Sequence, residues 1–308
     1  MLTENTRPLP TSHKIKYIYH FFFTVIMMDK WLDSNDLVPY DNQVGGHKFT
    51  KEKPLLGLLK HKEGYILKSV EGGTKGKNEV RFYEELRKNE SLINLRKLVP
   101  LYYGTVTLEI NGLDITFIIL DDITTDMKKP CVMDVKIGSQ TWEPGCSEKK
   151  KNDENAKYTN CKEQWSFCIP GFQVYDLSNS NLVQPQKYDK EFGKSLDPGQ
   201  VISVFKTFLN LNSGYLGLEK LVQSFTTQLD HIRRYFQTQK HYHFYSSSVL
   251  LAYDAETLKN DKNTFPSIRV SLIDFAHVTP ADGNIDLNYL QGITNLWTLF
   301  RTQLLHNN

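Results

Sequence analysis

Hydrophobic and polar positions along the chain change period several times, and each change marks an element. Residues 53–70 (KPLLGLLKHKEGYILKSV) read as two β segments around a Lys62-Glu63-Gly64 turn. A glycine-rich stretch with two lysines, residues 71–77 (EGGTKGK), reads as a loop. From residue 78 to 90 the period becomes helical, with Val80, Phe82, Tyr83 and Leu86 on one face. LYYGTVTLEI and DITFIIL then flank Asn111-Gly112, a dipeptide suited to a two-residue hairpin turn. The pattern predicts an N-terminal region of antiparallel strands plus one helix, ending near Leu120.

The second half is mixed. PCVMDVKIG, Pro130 to Gly138, is an apolar run carrying Asp134 and Lys136 two residues apart. Residues 146–164 are polar, lysine-rich and poor in large apolar groups, the composition of a solvated insertion or loop. Two helical patterns fill residues 200–239, separated by a turn at Asn212-Ser213-Gly214. YSSSVLLAYD and IRVSLIDFAHV read as paired strands joined by a polar stretch through Asn260, Asp261, Lys262 and Asn263. LNYLQGITNLWTLFRTQLL closes the chain as an amphipathic helix. This order of elements describes an α+β protein.

At 308 residues, 40% hydrophobic and 23% charged, the chain has the composition of a globular protein with a large core. A net charge of +2 provides no global field for nucleic acid, so any polyanion site must come from local clustering. Cys131, Cys146, Cys161 and Cys168 contain no CxxC pair, which fits reduced thiols in cytosol or nucleus better than zinc. Residues 17–28 (YIYHFFFTVIMM) are strongly apolar but fall short of the ~20 residues that span a bilayer. They suit a buried helix or strand, an extension upstream of a start at Met27 or Met28, or, although no small-residue cleavage site follows, a secretory or anchoring segment. Residues 1–28 are set apart as an N-terminal extension, and no stable membrane insertion is expected.

Candidate chemistry starts from Asp134 and Lys136. On an extended strand they share a face, while Cys131, Met133, Val135 and Ile137 supply apolar cover on the other. An acid and a base in such a run are expensive to bury unless they serve each other or a ligand. Lys68, late in a strand, and Glu79, eleven residues on, suit the lysine–glutamate pair with which kinases hold nucleotide phosphates. FIILDD, Phe117 to Asp122, ends an apolar strand where the Asp121 carbonyl and the Ile123 N–H could receive an adenine edge. SLIDFAH, Ser271 to His277, delivers Asp274 at a strand end, as a magnesium ligand requires. Ser248 on the preceding strand could add a hydroxyl.

As an ordered set these motifs resemble the inositol polyphosphate kinases. QVGGH (Gln43 to His47), ILK with NEVRFY, PCVMDVKIG, GFQVY (Gly171 to Tyr175), FGKSL (Phe192 to Leu196), SSVL, SLIDFAHV and DLNYLQGITNL (Asp286 to Leu296) cover about residues 40–300. The resemblance implies a two-lobed kinase-like fold. A small antiparallel N-lobe would span 29–121 and a larger C-lobe 122–308, with an inositide-binding segment inserted at 139–200. It implies ATP and Mg2+ as cofactors. Lys68, paired with Glu79, would contact the ATP phosphates, Asp121 and Ile123 the adenine, and Asp274 and Ser248 the magnesium. Lys136 would lie between the γ-phosphate and the acceptor hydroxyl. Asp134 would be either the base for that hydroxyl or an anchor for the ribose. Lys149, Lys157, Lys194 and His277 would meet the inositol phosphate, with Lys150, Lys151 and Lys162 as further candidates. Lys194 stands where the family has an arginine and loses its bidentate geometry.

An ATP-dependent kinase acting on soluble inositol polyphosphates, and working as a monomer, is the resulting expectation. The glycine pair of QVGGH and the GFQVY motif favour inositol hexakisphosphate; GLLKHKEGYILK favours the multikinases, which act on tris- and tetrakisphosphates. The expectation leans to hexakisphosphate. The competing reading is a catalytically weak inositide-binding scaffold, against which Lys68, Asp134, Lys136, Ser248 and Asp274 all stand intact. The protein-kinase HRD loop is missing, which argues against protein substrates.

Overall fold

A computed structural model describes residues 36–46, 57–70, 73–178, 184–215, 217–259 and 265–305. The expectations for residues 17–28, for His47 and for the link at 260–263 lie outside the described residues. The first sheet contains β1 (Leu37–Pro39), β2 (Leu58–His61), β3 (Tyr65–Ser69), β4 (Tyr102–Ile110) and β5 (Leu113–Asp121). It is antiparallel in the order β1-β2-β3-β5-β4. Asn111 and Gly112, at φ 54° and 77°, adopt the left-handed pair that a two-residue hairpin needs. β5 buries both of its faces. Ile118 and Leu120 join the main core, while Phe117 and Ile119 join a smaller cluster with Leu59, Leu67 and Val106.

Helix α1 (Thr74–Lys88) buries Phe82, Tyr83 and Leu86 against the main core, as its period requires. It begins at Thr74 rather than at residue 78, so most of the described glycine-rich stretch is helix and not loop. Gly73, at φ 111°, takes the turn, and Gly76 is buried in the first helical turn. A short α2 (Ile93–Arg96) leads into β4.

The second sheet contains β6 (Pro130–Ile137), β7 (Phe167–Val174) and β8 (Gln186–Tyr188). After a short β9 (Tyr242–Phe244) come β10 (Ser248–Asp254) and β11 (Ile268–Ile273). Its order is β11-β10-β6-β7-β8, with β10 and β11 paired as expected, and β9 pairs separately with β12 (Val278–Pro280). β6 is therefore central, and its Met133, Val135 and Ile137 are fully buried. The β6–β7 register slips between Asp134↔Gly171 and Lys136↔Cys168. Pro170 lies within that slip, where a residue without an N–H breaks no required ladder bond.

Residues 146–164 fold largely as α3 (Glu148–Asn155) and α4 (Thr159–Trp165), helices where the composition suggested a solvated insertion or loop. The Ser147 hydroxyl accepts the Lys150 N–H and caps α3. Then follow α5 (Lys190–Ser195), α6 (Val201–Phe208), α7 (Leu218–Phe236) and α8 (Leu287–Leu299). All four cysteines are free thiols. Among the described residues no helix is long and apolar enough to cross a membrane.

Candidate functional site

The two sheets face a cleft of about 340 Å³. From the first sheet and α1 it is lined by Lys68, Lys75 and Glu79, and from the end of β5 and the connection after it by Asp121 and Ile123. The second sheet supplies Asp134 and Lys136, and the segment after β11 supplies Asp274 and His277.

Lys68 ties the lobes together. Its Nζ donates to Glu79 Oε1 at 2.8 Å and to Asp274 Oδ1 at 2.6 Å. Burial alone would discharge the ammonium, but Asp274 and Glu79 outweigh it and hold the group above the usual lysine range. Glu79 is 4% exposed and also accepts the Phe275 N–H at 3.2 Å, while the Phe275 ring stacks on Phe82 of α1 at 4.3 Å. One glutamate therefore fixes both the strand lysine and the backbone that follows Asp274. Burial pushes the Asp274 carboxyl up, yet Lys68 foremost holds it below the ordinary range, so it stays ionised.

Asp134 behaves differently. It is 5% exposed, and burial followed by the charge of Asp274 raises its carboxyl to about 6, against the opposing pull of Lys136. Lys136 Nζ donates to Ser246 Oγ at 2.8 Å. Ser246, at φ 53°, lines the cleft and was absent from the sequence reading. Ser248 lies opposite Lys136 and Ile273 in the ladder and is fully buried rather than lining the cleft. Its Oγ and Asp134 Oδ1 are both buried without a well-aligned hydrogen-bond partner. Among the described residues no group of three or more His, Cys, Asp or Glu could hold a metal. A cation in the cleft would be held by Asp274 together with phosphate oxygens and water. That all-oxygen set is what magnesium favours.

The segment at residues 40–46 closes over Asp134, and sequence reasoning did not foresee this. The Tyr40 hydroxyl donates to Asp122 Oδ1 at 2.8 Å, Lys60 pairs with Asp122 Oδ2 at 2.7 Å, and Asn42 donates to Thr124 at 3.1 Å. The Tyr40 and Asn42 bonds anchor the segment to the connection after β5, where Lys60 of β2 also holds Asp122. A methyl at Gly45 would meet Asp134 Oδ2, and one at Gly171 would meet the Val44 carbonyl. Both glycines are needed for the same close approach. Gln173 is fully buried and donates to Asn42 Oδ1 and the Pro130 carbonyl, each at 2.9 Å.

The lysine-rich segment is more self-neutralised than its composition suggests. Lys150 pairs with Glu143 at 2.6 Å, and Glu143 also reaches His277 Nδ1 at 2.9 Å. Lys157 pairs with Glu154 at 2.7 Å, and Lys194 with Glu191 at 2.9 Å. Lys162, 4% exposed, donates to the Glu154 carbonyl at 2.6 Å, and burial depresses its ammonium. Lys149 is exposed, and Lys157 and Lys194 line a neighbouring cavity with Tyr158 rather than the cleft. His277 is the predicted substrate residue, besides Lys136, that the cleft receives.

The closing helix α8 braces both ends of this segment. Asn288 bonds the Gln140 N–H and carbonyl, each at 3.0 Å, and Asn295 donates to the Trp165 carbonyl at 2.9 Å. A methyl at Gly138 would collide with Asn288. Asn288→Ala leaves the Gln140 backbone groups without these partners and is expected to cost about 2 kcal/mol of stability. It is also expected to raise KM for the acceptor more than KM for ATP. Thermal melts and steady-state kinetics check both; an equal rise in the two KM values would show that the brace does not act on the acceptor side.

The comparisons agree with this geometry. The inositol polyphosphate kinase family pattern matches residues 117–301. The chain is 31% identical over 275 residues to inositol polyphosphate multikinase alpha of Arabidopsis thaliana, covering 85% of this chain and 94% of the relative. A solved inositol phosphate multikinase structure superimposes with a TM-score of 0.58 at 29% identity, over 72% of this chain and 98% of the other. The S. cerevisiae inositol phosphate multikinase, solved with ADP and Mn2+, superimposes with a TM-score of 0.61 at 19% identity, over 77% and 98%, and shows the shared fold. Family pattern, relatives and fold converge: this chain belongs to the inositol polyphosphate kinase family.

Proposed function

We propose that this protein is an ATP- and Mg2+-dependent kinase of the multikinase type, phosphorylating soluble inositol tris- and tetrakisphosphates. The observation that carries the reading is the Lys68–Glu79–Asp274 chain across the cleft from Asp134 and Lys136. Lys68 meets the nucleotide phosphates and is held in place by Glu79, while the Asp121 carbonyl and Ile123 N–H hold the adenine. Asp274, with phosphate oxygens, holds the cation, whose chemistry is to neutralise phosphate charge. Lys136 lies between the γ-phosphate and the acceptor hydroxyl. As the new P–O bond to the acceptor forms and the bond to ADP breaks, the hydroxyl proton passes to Asp134. A carboxyl near 6 is suited to that transfer close to neutral pH.

The lean to hexakisphosphate loses its support. It rested on the glycine pair of QVGGH and on GFQVY, and both have packing explanations. Gly45 and Gly171 make room around Asp134, and Gln173 bonds within the fold. The curated relatives are named multikinases, and the paired lysines of residues 146–164 suit a moderately charged acceptor. Product chromatography over inositol tris- to hexakisphosphates with Mg-ATP tests this. Tris- and tetrakisphosphates are expected to be consumed fastest. Predominant products more charged than hexakisphosphate would reverse the substrate assignment, and no transfer at all would end the kinase reading.

A further inference from the structure

We propose that Glu143 limits how many phosphates the acceptor can carry. This rests on the inositol phosphate kinase reading and names the residue that sets its upper bound. Glu143 follows the catalytic strand by a few residues and stands between Lys150, 2.6 Å from Oε1, and His277, 2.9 Å from Oε2. Burial raises its carboxyl, but the Lys150 hydrogen bond and then a backbone N–H hold it below the usual range, so it is charged at neutral pH. His277 and Lys136 line the cleft, and burial first, with the charges of Lys150, Lys75 and Lys136, holds the His277 imidazole below its ordinary range against the opposing pull of Glu143, so it is neutral. Glu143 thus stands as a fixed anion just behind His277, paired with Lys150 on one side and facing a neutral imidazole on the other, where it meets a phosphate that the acceptor brings to the His277 end of the cleft.

A phosphate monoester carries about −1.5 to −2 charges at neutral pH. An acceptor with a free hydroxyl on that side leaves the Glu143–Lys150–His277 contacts intact. A fully substituted ring must bring a dianion against the carboxylate or displace it from both partners.

The test uses the full chain with Glu143→Gln, which removes the charge and keeps the shape, and Glu143→Asp, which keeps the charge. Calorimetric titration with inositol hexakisphosphate and with an inositol trisphosphate reads the affinities, and steady-state kinetics reads kcat/KM for each. Glu143→Gln is expected to tighten hexakisphosphate about tenfold while trisphosphate changes less than about threefold, and Glu143→Asp is expected to keep the wild-type ratio. Equal changes for both ligands, or no change in the ratio, overturn the proposal. Should the Gln variant unfold, Glu143→Ala supplies the same comparison. Wild-type protein that phosphorylates no inositol phosphate defeats the functional reading instead, and the binding ratio still decides the role of Glu143.

Discussion

Lys136→Ala is expected to lower kcat by about a thousandfold, the scale of losing one preorganised charge at a transition state. KM for ATP should change little, because the proposed nucleotide contacts of Lys68 and Asp274 are left in place. Phosphoryl transfer asks little covalent chemistry of a protein; it asks for position and for positive charge where the transferring oxygens need it. Lys136 meets both demands. Its strand is central in the sheet, and its neighbours Val135 and Ile137 are fully buried, so the backbone beneath it has little room to shift. Its ammonium donates to the neutral Ser246 hydroxyl, so no carboxylate partner cancels its charge through that bond. Lys136→Arg should restore little, since a planar guanidinium is a poor substitute for a compact ammonium at a point contact. Single-turnover measurement with saturating Mg-ATP and an inositol trisphosphate separates this loss from binding. A loss under about tenfold would place the transition-state charge on another residue. Unchanged function would favour the binding scaffold.

How much of this was legible in the sequence depends on the range of the interactions involved. The Asn111-Gly112 hairpin and the alternation of Cys131 to Ile137 are local, and both fold as the pattern dictates. The β10–β11 pair was visible because two apolar runs had nothing else to pair with nearby. The start of α1 was misread because glycines signal loops, whereas here Gly73 caps and Gly76 packs. The contact of Gly45 with Asp134 joins positions far apart in the chain and leaves no periodic trace. Nor does composition show that Lys150 and Lys157 are already matched by Glu143 and Glu154, which is why a lysine-rich segment reads as more cationic than it is. Motif order pointed to the site; charge pairing inside it was a tertiary fact.

Asp134→Asn is expected to stabilise the ligand-free protein by about 2 to 3 kcal/mol above pH 7 while lowering catalysis. The native carboxyl is raised to about 6 from an ordinary 3.8, chiefly by burial and then by Asp274. Between those values the native state holds a proton that the unfolded chain has released. Stability contributed by this group therefore falls as pH rises through that window, is constant above it, and carries no cost below pH 4. Asparagine is nearly isosteric and uncharged, so it avoids the cost of keeping an anion buried beside another anion. The advantage of the variant should accordingly be small at pH 4, grow up to about pH 6 and then level off, as read from urea unfolding at several pH values. Stabilisation of the same size at pH 4 and pH 8 would assign the gain to packing against Gly45 or Ser248 instead. Under the proposed role of Asp134 as proton acceptor, this weakening of the resting fold is a cost accepted for function. The opposite signs of the stability and activity changes in this one substitution are the signature that separates a catalytic Asp134 from a structural one.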